Sequence, residues 1–127
     1  MKIIVDSDKT VEQACQDLEA AVKQHKFGVL HVHDLQKTLQ GKGLQFDEAC
    51  RVYEVCNPHK AQAVLNDDLS LNMALPCRIS VWSEKGRTRI GMISPRDMLA
   101  LLSDSPVLRA VADEVEETTR KIIEEAS

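Results

Sequence analysis

Two cysteine–proline stretches carry the most specific chemistry in the chain. "EVCNPHKA" runs from Glu54 to Ala61, and "ALPCRISVW" from Ala74 to Trp82. In the first, Cys56 stands just before Asn57-Pro58. An Asn followed by Pro is a helix start, because the Asn side chain accepts from free first-turn amides and Pro lacks an amide that position never uses. Cys56 is therefore expected near the positive end of a helix dipole, where a thiolate is favoured. His59 and Lys60 add nearby positive charge. Glu54 opposes this, since residues two apart on a strand share a face and a carboxylate raises a neighbouring thiol's pKa. Cys77 opens the alternation Cys77, Ile79, Val81, a core signature in which cysteine behaves as a small inert hydrophobe. Arg78, Ser80 and Trp82 take the other face. Pro76 suits the start of a strand, where a missing donor is tolerated.

Several readings of these cysteines stand side by side. Cys56, Asn57, Pro58, Cys77 and Glu54 can form a patch for a small ligand or protein partner. Cys56 can carry a thiolate that handles sulfur or redox chemistry, with Cys77 resolving. Both motifs can be boundary devices and nothing more, and a soft-metal site is a further use of paired thiolates. Cys15 falls on the apolar stripe of a helix and reads as packing. Cys50 follows a loop and reads as incidental.

The remaining chemistry is thinner. "HVH" puts His31 and His33 on one strand face, a spacing that can chelate an ion. With His59 they are the only weak metal candidates, and a catalytic metal wants about three protein ligands. No Ser-His-Asp arrangement, phosphate loop or dinucleotide fingerprint is present. The pair Asp67-Asp68 reads as solvated. The sequence therefore names no catalytic residue and no cofactor, and it leans away from an enzyme.

Composition bounds the partners. The 127 residues are 43% hydrophobic and 28% charged, with a net charge of −4 and 3% aromatics. That balance suits neither a phosphate backbone nor base stacking, so no nucleic-acid partner is expected. No apolar run reaches the roughly 18 residues of a membrane span. The start "MKIIVDSDKT" does not read as a signal peptide, so a cytoplasmic setting with reduced thiols is expected.

These side chains need elements to position them. "KIIVDS" reads as a first strand. Thr10 with Gln13 reads as a capping box for a helix whose face is Val11, Cys15, Leu18 and Val22 and which Gly28 ends. "VLHVHDL" and "CRVYEVC" read as strands, separated by a short helix, "LQKTLQ", that Asp34 caps and Gly41 and Gly43 terminate. "PHKAQAVLNDD" is a helix, and the segment after it a loop. "CRISVWSEKGRTRIGMIS" is a hairpin turning at Lys85-Gly86, with glycine supplying positive φ. "PRDMLALL" is a helix capped by Ser94, with Asp97 three residues on. A last helix runs from Pro106 to about Ala126. Its stripe is Leu108, Val111, Val115 and Ile122, with Thr118 filling the gap. Glu116–Arg120 and Glu117–Lys121 are placed on its outer side. Val107 and Ile123 widen the stripe toward a possible second subunit, and two-fold dimers are the commonest assembly. The order βαβαβαββαα with a tight hairpin implies one α+β domain over 1–127, a mostly antiparallel sheet with helices on one face.

"FGVLHVHDLQKTLQGKG", "EVCNPHKA", "ALPCRISVW" and "ISPRDML", in that order, resemble the domain-of-unknown-function family three hundred and two. The resemblance covers roughly Thr10 to Leu102. It implies a TATA-binding-protein-like α+β fold, a curved antiparallel sheet backed by helices, and a homodimer. It implies no reaction, and the fold's name imports no DNA binding. Glu54 and Val55 stand where members commonly have small residues, and Arg78 where an Asn often follows the cysteine.

Overall fold

The computed structural model describes residues 1–127. Its elements are β1 (Lys2–Ser7), α1 (Val11–Gln24), β2 (Gly28–Asp34), α2 (Leu35–Gly41), β3 (Cys50–Cys56), α3 (Pro58–Asp67), β4 (Cys77–Glu84), β5 (Arg87–Ile93), α4 (Pro95–Leu102) and α5 (Pro106–Ala126). The order is the one the sequence implies. The segment expected as a loop before β4 contains a 3-10 turn, Leu69–Ala74, capped by Asp68, whose carboxylate accepts from the Ser70 amide.

All five strands form one antiparallel sheet in the order β1-β5-β4-β3-β2. Strand alternation sends Ile3, Val5, Tyr53, Val55, Ile79, Val81, Ile90 and Met92 to one face, where Cys15, Leu18 and Val22 of α1 and Val115, Ile122 and Ile123 of α5 meet them. A second, smaller core of Val64, Leu71, Leu99, Leu108 and Ala112 joins α3, the 3-10 turn, α4 and α5. The opposite face of the sheet carries no helix-core residues. Its cross-strand rows follow from the register: Asp6–Arg89–Trp82–Cys50 at one end, and Ile4–Gly91–Ser80–Val52–His33 in the middle.

The caps explain why the helices start where they do. Asn57 accepts from the His59 and Lys60 amides at 3.0 and 3.2 Å, and Ser94 accepts from Asp97 at 3.1 Å. Each is followed by proline at the first helical position, as is Ser105. Thr10 accepts from the Gln13 amide, but the reciprocal half of the expected capping box is absent, because the Gln13 side chain donates to Asp17 instead. α1 ends before Gly28: Lys26 takes the left-handed conformation, with φ of 65°, and Gly28 opens β2. At the β4–β5 turn Lys85 shares the positive φ with Gly86, the pattern of a two-residue hairpin that follows the strand twist.

α5 departs most from its sequence reading. Thr119, not Thr118, fills the gap in the stripe, and Ile123 is 1% exposed, packed in the main core and not available to a second subunit. Glu116, placed on the outer side by its charge, is also 1% exposed. It is buried because the start of α4, with Arg120 of its own helix, gives it a complete set of partners. The Ser94 hydroxyl and the Arg96 amide donate to its Oε1, and the Arg96 and Arg120 guanidinium groups lie at Oε2. The Glu117–Lys121 pair does lie outside, at 3.5 Å.

Candidate functional site

One end of the sheet collects three of the motifs that the sequence singles out. β3 ends at Cys56, β4 begins at Cys77 and β5 ends at Ile93, and antiparallel pairing puts these three points together. "CNP", "LPC" and "SPRD" therefore converge, with α3 and α4 springing from the same edge. Val55, not Cys56, is the residue paired with Cys77. The two cysteines are one position out of register, so their side chains leave opposite faces of the strands. The Leu75–Pro76 peptide is cis.

From this end a groove of about 480 Å³ extends over the open face. Its floor is the middle row of the sheet, Ile4, Gly91, Ser80 and Val52, with Trp82 along one side. Met73, Leu75, Pro76 and Met98 wall the motif end. Gly91 makes this shape possible. A Cβ there would come within 2.9 Å of the Ile3 carbonyl and 3.1 Å of the Trp82 ring, so glycine leaves the space that the indole edge occupies. Lys2 and Arg78 are the groove's two charged residues. A much smaller cavity, about 40 Å³, lies on the helix side of the same end, between α3, α4 and α5, and both Cys56 and Cys77 border it.

The family model of the domain of unknown function DUF302 matches residues 3–126. The chain belongs to the DUF302 family. The match extends past the Thr10–Leu102 stretch that carries the sequence resemblance. Among solved structures, the chain is similar to an uncharacterized conserved DUF302 protein from Bacillus stearothermophilus, with 32% identity and a TM-score of 0.93 over 99% of this chain and 98% of that one. No curated protein matches.

The electrostatics of this DUF302 chain bear on each candidate residue. All four cysteines are free. Burial pushes the Cys56 thiol up, contrary to the expected helix-dipole effect. The first-turn amides that could offset this burial already donate to the Asn57 side chain. Lys60, the expected cation, pairs with Glu114. Burial also pushes Cys77 up, to about 11, and the neighbouring Cys56 adds to the shift. Cys15 packs in the main core, as its stripe position predicts. Half-buried Cys50 stands at the start of β3 and is likewise raised by burial and then by Asp34.

Glu54 and Arg78 are paired in the β3–β4 register, yet Glu54 is held by His33 at 2.5 Å. That bond keeps the Glu54 carboxyl below the usual carboxylate range. His31 meets His33 edge-on, with ring centroids 4.4 Å apart. His59 lies in the first turn of α3. No three His, Cys, Asp or Glu side chains converge as a metal site needs. No helix is long and apolar enough to cross a membrane.

Sequence reasoning missed Trp82, Gly91, Ile4 and Glu116. Gly91 had a signal: a glycine inside a strand marks a bulge or a close approach. Glu116 had one too, standing four residues after Ala112 and three before Thr119, on the buried stripe of α5.

Proposed function

We propose that this DUF302 protein is a non-enzymatic binding module whose open sheet face takes a small apolar ligand at the Cys-Pro end. The observation that carries the reading is the groove. Its volume of about 480 Å³ falls within the roughly 300–1,000 Å³ of small-molecule clefts, and its lining is mostly apolar with a few polar groups at the rim. A solvated sheet face without a ligand is normally polar. Here Ile4 and Ile93 are 37% and 47% exposed on that face. The reading takes the protein as cytoplasmic and homodimeric. Leu101, Leu102 and Val107, exposed together at the α4–α5 junction, support a second copy there, and sedimentation of Leu101→Lys against wild type reads that part separately.

Trp82 is the only tryptophan in the chain, so intrinsic fluorescence reports groove occupancy directly. Titration with 1-decanol, an uncharged probe, is expected to shift Trp82 emission saturably. Ser80→Phe, which fills the floor, is expected to abolish the shift while circular dichroism stays native. A shift that survives Ser80→Phe, or no shift with decanol and with its charged ten-carbon analogues alike, overturns the proposal.

Thiol chemistry at Cys56 with Cys77 is the second reading. Their shared border on the small cavity favours it. The raised pKa of both sulfurs makes it the weaker of the two.

A further inference from the structure

We infer that the groove selects an organic anion, an apolar body carrying one carboxylate or similar head, with Arg78 as the recognising cation. The inference rests on the groove being a binding site and adds the chemical class of what it binds.

The charge distribution carries the argument. The chain is acidic overall, at −4, yet the groove lining contains Lys2 and Arg78 and no acidic residue. Elsewhere on the sheet and its helices every arginine is matched except Arg109, which stands exposed on α5 away from the groove. Arg51 pairs with Glu12, Arg87 and Arg89 with Asp6, Arg96 with Asp113 and Arg120 with Glu116. Arg78 has no ion pair. Its one acidic neighbour in register, Glu54, is close enough to feel the Arg78 charge but forms no ion pair with it, is hydrogen-bonded to His33 and lies outside the groove. A guanidinium next to an apolar surface is a ready fork for a carboxylate, because its donors are fixed in a plane and weakly hydrated. An apolar chain along Ile4, Val52 and Trp82 would bring a terminal anion to the rim that Arg78 and Lys2 occupy. A cationic amphiphile would meet like charge at the same point.

Three ten-carbon probes separate the possibilities: decanoate, 1-decanol and decyltrimethylammonium, each titrated below its micellar concentration and read by Trp82 emission. A charge-assisted hydrogen bond is worth about 1.5 kcal/mol or more, so decanoate is expected to bind about tenfold more tightly than decanol. Decyltrimethylammonium is expected to bind most weakly. In Arg78→Gln the decanoate-to-decanol ratio falls toward one, in Arg78→Lys part of it survives, and in Arg109→Gln, an exposed arginine on α5, the full ratio is kept. Equal affinity for decanol and decanoate overturns the inference and leaves the groove's role as a binding site standing. A preference that persists when both Arg78 and Lys2 are Gln also overturns it. Failure of all three probes removes the binding reading itself, and the inference with it.

Discussion

The two ends of the sheet are built differently. At the end that carries the β4–β5 turn, charge is closed on itself: Arg89 bonds both Asp6 and Glu84, its guanidinium stands 5.9 Å from the Trp82 ring centre, and Arg87 also reaches Asp6. At the Cys-Pro end the backbone is what is closed. Asn57 and Ser94 cap their helices and Glu116 locks α4 to α5, yet Arg78 is left without an acidic partner beside an apolar groove. A rim whose charges neutralise one another has finished its chemistry. A rigid frame holding an unmatched cation over exposed hydrocarbon has not, and that difference places the candidate site.

The sharpest way to break this contrast is to remove the lock. Glu116→Ala strands the Ser94 hydroxyl and the Arg96 amide, and it is expected to cost about 3 kcal/mol in urea denaturation. A cost below about 1 kcal/mol would mean that the motif end is not rigidly framed. The same carboxylate predicts a pH dependence. Burial pushes its pKa up, but the Ser94 hydroxyl, the Arg96 amide and the guanidinium groups of Arg96 and Arg120 outweigh burial and hold it below the ordinary range. The stabilisation is therefore present above the unfolded value, about 4.3, and is lost as pH falls through the lower folded value. Wild type should lose stability more steeply than Glu116→Gln on acidification below about pH 4.

Next in size is Gly91→Ala, expected to cost about 1–3 kcal/mol through overpacking and to displace the indole, seen as a changed Trp82 emission maximum. An unchanged spectrum would show that the groove wall does not depend on glycine. Thiol reactivity follows. At pH 7 iodoacetamide should label Cys56 and Cys77 more slowly in the native protein than in the unfolded chain, with Cys77 the slower, because both thiols are raised by burial. Rapid native labelling of Cys56 below pH 7 would restore the thiol reading and weaken the binding one. The smallest effect belongs to the finished end: Arg87→Gln should change stability by no more than about 0.5 kcal/mol, as exposed ion pairs do. A larger loss there would mean the two ends are less different than their charges suggest.

Much of the fold was legible because its signals are local. Proline after Asn57, Ser94 and Ser105 marked three helix starts, and two-residue alternation marked β3 and β4. The convergence of "CNP", "LPC" and "SPRD" was not legible, since it depends on β4 lying between β3 and β5. Trp82, Gly91 and Ile4 were missed for the same reason: they meet only through register across three strands, Ile4 and Gly91 in one row and Trp82 in the next, with no sequence spacing in common. For Cys56 the sequence states but does not resolve a competition, between a dipole that favours a thiolate and burial and an Asn57 cap that work against it. Glu116 was excluded from the buried stripe by its charge alone, although its helical position belonged there. Apart from Arg120 on its own helix, its partners are Ser94 and Arg96 at the start of α4, and only the tertiary packing supplies them.

The pairing of β1 with β5 has a kinetic consequence. β4 and β5 close over a two-residue turn, whereas Lys2 pairs with Ile93 across most of the chain. Loop-closure entropy makes the local hairpin early and the distant edge strand late. Ile4 and Lys2 belong to that late strand, so the groove is complete only when the last step of folding is. β1 is also an edge, held by one neighbour, and its amides should exchange with solvent before those of β3 to β5. On that account the binding surface is the first property lost when the molecule opens, and ligand present in solution should slow β1 exchange more than exchange anywhere else in the sheet.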